Sequence, residues 1–239
     1  SSDLSRALPR TALHEDRSVA TKADEQKILS HIDEEEIVDL CTDLARIPSF
    51  SGEEGPCARF LAGRLRELGF DDVTLQEVEP NRPNVIARLK GDGTGPSFMF
   101  NGHLDIDPIP ADYEAPHWRP VRRDGKLHGI GVGNMKAGDA AMVIAATALK
   151  RSGVKLRGDV YISAVIGELQ GGIGTRYMLD QGLVPDYAIV PEPTACNVRT
   201  IHAGGLEFLL HVKGKTAWIG DRKSTRLNSS HSQQSRMPS

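Results

Sequence analysis

The chain has 239 residues, a formal net charge of −3, 39% hydrophobic and 26% charged residues, an ordinary balance for a globular protein. The acidic balance excludes the basic face of a nucleic-acid binder, and no apolar run approaches the ~18 residues that cross a bilayer. Cys41, Cys57 and Cys196 form no C-x-x-C pair, so neither a disulfide framework nor a thiolate zinc site is implied, which fits a reducing, cytoplasmic setting.

In chain order, residues 1–30 are polar and aperiodic and read as an N-terminal extension, with no signal-peptide apolar core and no initiating Met. Residues 32–47 carry a helical stripe of Ile37, Val38, Leu40, Cys41 and Leu44, ended by Pro48. A second helix is predicted over about 54–68, with Gly69 as its stop. Residues 73–78 and 84–89 read as a pair of hairpin-like strands. Strand and helix then alternate: strand 97–101, helix 136–151, strand 159–166, helix 172–181, strand 186–190. This rhythm predicts an α/β domain over 31–203, built on a mixed, largely parallel sheet flanked by helices. After Gly204 and Gly205, a strand at 206–212 is expected to open a second, smaller domain at 204–220, cut short.

Residues 221–239 resemble the translation of a sequencing-library adapter, Asp221 to His231 matching one arm and Ser235 to Ser239 the other. They are expected to be an artefact. The natural sequence is then expected to leave off near Gly220, and the chain to be a fragment that is inactive by itself.

The chemistry-bearing residues fall at strand ends. An apolar run stops at Gly102 and presents His103 and Asp105; the strand ending near 166 delivers Glu168, and the one ending at 190 delivers Glu192. If these strands are parallel, the side chains reach one rim, where ligands collect in open α/β sheets. A histidine with nearby carboxylates suits Zn²⁺, or less selectively Mn²⁺ or Co²⁺. Such a site polarises an amide carbonyl and acidifies a bound water, leaving a carboxylate to act as general base. Asp105 reads either as the acceptor that fixes the imidazole tautomer or as a turn residue before Pro108. His128 and His202 read as structural or solvated, and the glycines of 129–133 lack the G-x-G-x-x-G spacing of a dinucleotide site.

Gly102-His103-Leu104-Asp105, the stretch HGIGVGNMKAG at 128–138, GELQGGIGT at 167–175 and Glu192-Pro193-Thr194 together resemble the acetylornithine deacetylase, succinyl-diaminopimelate desuccinylase and carboxypeptidase family of zinc metallohydrolases. The likeness covers about 33–220. It implies a two-zinc amidohydrolase acting on small peptides or N-acyl amino acids, with a catalytic domain interrupted by a smaller lid that often mediates dimerisation, so a homodimer is expected through it. By position, the resemblance makes His103 a metal ligand, Asp105 its orienting partner, Asn134 the metal-bridging position, Glu168 the general base and Glu192 a ligand to one metal. Relatives usually carry aspartate where Asn134 stands, a second acidic residue where Leu169 stands, and often a lid histidine near Trp218. A neutral amide offsets the repulsion of two adjacent cations less well than a carboxylate does. One or two Zn²⁺ therefore stay open, and the alternative is a catalytically silent relative that serves as a ligand-binding or dimer-scaffold protein.

Overall fold

The computed structural model describes residues 20–109 and 118–201. The chain divides into a unit Ser1–Asn197 and a second unit Val198–Ser239, and the first is described below. The lid expected at 204–220 and the homodimer expected through it lie outside the described residues, as do His202, Trp218 and the tail 221–239.

The elements are α1 (Lys22–Leu29), α2 (Glu34–Ala45), α3 (Gly55–Glu67), β1 (Asp72–Glu79), β2 (Arg82–Leu89), β3 (Phe98–His103), β4 (Val121–Arg123), β5 (Lys126–His128), α4 (Ala137–Ser152), β6 (Val160–Val165), α5 (Ile173–Asp180) and β7 (Tyr187–Ile189). One wide helical turn, Val132–Lys136, runs into α4. Five strands form a sheet in the order β1-β2-β6-β3-β7. β3 is parallel to both β6 and β7, while β2 is antiparallel to β1 and β6. β2 thus runs against the other four strands, and the sheet is mixed and largely parallel, as the sequence rhythm predicts.

Local chemistry accounts for these elements. Asp33 caps α2 by accepting from the Glu35 backbone N–H, and three glutamates fill its first turn, where the helix dipole favours negative charge. Apolar residues then recur at helical spacing: Leu40, Cys41 and Leu44 on α2, and Cys57, Ala58, Leu61, Ala62 and Leu65 on α3. With Met142, Val143 and Ile144 of α4 they close over Val85 and Ala87 of β2 and Ile162 and Ala164 of β6 in one core. Strands buried this deeply lose the alternation of a half-exposed sheet and read as continuous apolar runs.

Two elements go beyond the sequence reading. α1 forms inside the segment read as an extension, held at its start by a reciprocal capping box between Thr21 and Asp24, and it buries no side chain. β4 and β5 form a hairpin turned by Asp124 and Gly125, both at positive φ (52° and 70°), as a type I′ turn requires.

Because β3, β6 and β7 are parallel, their C-terminal ends share one rim. His103 is the last residue of β3, opposite Val165 at the end of β6. Glu168 and Glu192 follow the ends of β6 and β7.

Candidate metal centre

His103 is buried, and its two ring nitrogens face different partners. Nδ1 lies 2.8 Å from the backbone oxygen of Asp105, an acceptor, so Nδ1 carries the proton. Nε2 then faces Oδ1 of Asn134 at 3.1 Å and Oε1 of Glu192 at 3.3 Å. An amide oxygen and a carboxylate cannot donate, so two acceptors face the lone pair of Nε2. That arrangement is repulsive unless a positive centre lies among them. In the metal-free chain a second proton on the imidazole is such a centre. Burial opposes that charge, but the hydrogen bond with Glu192 and the charges of Asp105, Asp139 and Glu192 outweigh it and lift His103 to about 9.

Each donor arrives by a different route. Asn134 sits in the wide turn, with backbone angles outside the helical region (φ −125°, ψ 98°). The turn is tied to α2 by Lys136, whose buried ammonium donates to the Leu44 and Ile47 carbonyls at 3.0 and 2.9 Å. These carbonyls lie at the C-terminal end of α2, where intrahelical partners run out. Glu192 depends on a close approach: a Cβ on Gly138, in the first turn of α4, would run into the backbone oxygen of Pro191. Glycine there lets the 191–192 segment lie against α4 and brings Glu192 to the imidazole.

Asp105 is fully buried, and three donors satisfy its carboxylate. Oδ1 accepts from the Glu168 backbone N–H at 3.0 Å; Oδ2 accepts from the Leu169 N–H and the Ser51 hydroxyl, both at 3.0 Å. Its carboxylate stands 3.6 Å from Nδ1, so the imidazole proton goes to the Asp105 carbonyl instead. The side chain of Asp105 therefore grips the turn that carries Glu168, while its backbone engages the ring.

The same turn is held from a second side. Gln170 Oε1 accepts from Nη2 of Arg82 at 2.7 Å. Arg82 is itself clamped by Glu54 through two hydrogen bonds of 2.8 and 2.6 Å. Asn84 bridges the segment further along, donating to the Gly174 carbonyl at 2.9 Å and accepting from the Ile166 N–H at 3.1 Å. Glu168 is left with a pinned backbone and an exposed side chain. His128 lies exposed on β5.

The structure thus joins His103, Asn134 and Glu192 at one point and links Asp105 to the backbone of Glu168. Ser51, Glu54, Arg82, Asn84 and Gln170 were absent from the sequence reading of the site. Among the described residues no group of three His, Cys, Asp or Glu side chains could hold a metal; the trio that converges is completed by an amide. Donor atoms about 2.1 Å from a tetrahedral ion stand roughly 3.4 Å apart, close to the separations around Nε2. The described donors therefore suit one divalent cation. Leu169, beside Glu168, offers no donor for a second.

Fold and site together define an α/β domain that gathers an N,O,O donor set at the rim of its parallel strands. The chain belongs to the peptidase family M20/M25/M40, whose pattern it matches over residues 99–231, more than half its length. That match extends through 221–231, within the segment whose sequence resembles an adapter translation. The chain is 38% identical over 165 residues to a succinyl-diaminopimelate desuccinylase of Gluconacetobacter diazotrophicus, covering 65% of this chain and 42% of the relative. It is 30% identical over 177 residues to an N-formyl-4-amino-5-aminomethyl-2-methylpyrimidine deformylase of Bacillus subtilis, covering 66% and 41%. The chain therefore spans less than half the length of either. In fold it is similar to an M20 family metallo-carboxypeptidase from Sulfolobus solfataricus, with a TM-score of 0.58 at 17% identity over 67% of this chain and 37% of that one.

Proposed function

We propose that this chain contributes the first part of a metal-dependent hydrolase that cleaves amide bonds in small peptides or N-acyl amino acids. The observation that carries the reading is the meeting of His103 Nε2, Asn134 Oδ1 and Glu192 Oε1 within 3.3 Å of the imidazole nitrogen, three acceptors that call for a cation. These three residues would hold it, and Zn²⁺ suits the set, with Co²⁺ or Mn²⁺ as substitutes. A bound divalent cation would polarise the scissile carbonyl and acidify water. The family membership and the relatives' amide substrates support the same reaction class.

The residues divide the remaining work. Asp105 fixes the ring of His103 through its carbonyl and the Glu168 turn through its carboxylate. Glu168, exposed at the rim, takes a proton from the attacking water on its carboxylate and returns it to the departing amine nitrogen. Arg82 and Gln170 keep that turn from drifting, which matters because general-base catalysis depends on hydrogen-bond reach.

One observation favours a second reading. Asn134 and Leu169 leave the site with a single formal negative ligand, Glu192, which suits a catalytically silent, ligand-binding relative. A polypeptide of the relatives' full length that contains this chain separates the two readings. For the hydrolase, Glu168→Gln retains bound zinc and loses hydrolysis of N-acyl amino acids by about 10²-fold or more. Zinc retention with no hydrolysis in the unsubstituted protein supports the silent relative.

A further inference from the structure

Asp139, in the first turn of α4, is fully buried, and neither carboxylate oxygen has a hydrogen-bond partner among the described residues. It is wedged against β3 at Gly102, the residue before His103: a Cβ on Gly102 would run into its Oδ1, with the methyl ends of Met135 and Met142 3.2 Å from the same point. A buried charge without partners is among the costliest features a fold can carry. Burial pushes this carboxyl up to about 8, against the pull of His103 and Lys136 and with the added repulsion of Glu192 and Asp105. The helix dipole favours an acid in this first turn, but no backbone N–H reaches it.

The neighbouring charges are committed elsewhere. Lys136 spends its ammonium on the Leu44 and Ile47 carbonyls. Asp105 accepts three hydrogen bonds, Glu192 faces Nε2 of His103, and Cys41 and Cys57 are buried free thiols. Among the described residues, Asp139 is the fully buried anion beside the site whose hydrogen-bonding capacity is unspent.

We propose that Asp139 is the charge-balancing residue of the cation site, an anion packed against Gly102 that complements a divalent cation held by His103, Asn134 and Glu192. It acts through the field at the imidazole and not as a ligand, which makes it a positioning residue. The inference rests on the single-cation reading given above. It explains why the fold keeps an unpaired carboxylate in its core: a liability in the metal-free chain becomes an asset once the cation is bound.

The test compares the chain with Asp139→Asn, a near-isosteric change that keeps the packing. Zinc affinity is read by competition with a chromophoric chelator, and melting temperature is read after chelator treatment. Asp139→Asn is expected to bind zinc ten- to a hundredfold more weakly and, stripped of metal, to melt at or above the unsubstituted chain. Adding Asn134→Asp to that variant, which restores an anion to the site, is expected to recover affinity. Unchanged zinc affinity in Asp139→Asn overturns this inference alone. Weaker binding together with a lower metal-free melting temperature overturns it as well, because a merely structural role gives that pattern. A chain that takes up no zinc at all overturns both this inference and the single-cation reading.

Discussion

Replacing Arg82 by Met is the sharpest perturbation of the frame that holds the Glu168 turn. Glu54 is completely buried and the Arg82 side chain is 9% exposed. Their two hydrogen bonds, 2.8 and 2.6 Å, give the bidentate geometry that makes such pairs strong. The Glu54 contact, helped by Glu79, raises the pKa of the guanidinium further against its burial. Removing the arginine strands a carboxylate that keeps, among the described residues, only the Gly52 N–H, at 3.1 Å. Breaking a buried pair in this way costs about 3–5 kcal/mol, or roughly 6–20 °C in melting temperature for a domain of this size. Replacing both partners, as Glu54→Leu with Arg82→Met, removes the stranded charge and should recover most of that loss. The control is Arg122→Met, which breaks a pair with Glu35 whose side chains are 57% and 61% exposed; its effect should stay within about 1 kcal/mol. Differential scanning calorimetry on the four chains measures all of this. An Arg82→Met variant that melts with the parent, or a double variant no better than the single, refutes the reasoning.

Two further outcomes follow from the buried titratable groups. Asp139 stands at about 8 against an ordinary 3.8, and His103 at about 9 against 6.5; both raised values favour the protonated folded state. The Asp139 contribution is full below 3.8 and lost through about 8, and that of His103 is full below 6.5 and lost through about 9. The chelator-treated chain should therefore lose melting temperature as pH rises between these limits, and a rising profile would contradict the assignment. Burial likewise pushes the thiols of Cys41 and Cys57 to about 11, while Cys196 is exposed. At mildly alkaline pH Ellman's reagent should count one fast thiol in the native chain and three in denaturant; three fast thiols without denaturant would mean that the core around α2 and α3 is open.

β3 and β6 were legible because buried parallel strands leave apolar runs with abrupt ends, and His103 and Glu168 stand at or past such ends; β7, before Glu192, is exposed and left only a short apolar run. α1 was hidden for the opposite reason: it buries nothing, so it has no stripe, and its only signature is Thr21 three residues before Asp24. The β4–β5 hairpin was announced by Asp124-Gly125, a pair suited to a type I′ turn, but its three-residue strands are too short to alternate. What sequence could not convey is convergence. Arg82 and Gln170 meet across 88 positions and Ser51 and Asp105 across 54, and no local pattern records such a meeting. Asp139 did leave a trace, as an acid at the head of the apolar run 140–149; its meaning emerges only once Gly102 and the imidazole are found beside it.

The proposed chemistry requires that His103, Asn134 and Glu192 hold a cation. Zinc per chain, measured by inductively coupled plasma mass spectrometry after saturation and exhaustive dialysis, tests this directly on the chain and on His103→Ala. The structure predicts about one zinc in the chain and none in the variant. No zinc in either, or equal zinc in both, would contradict it.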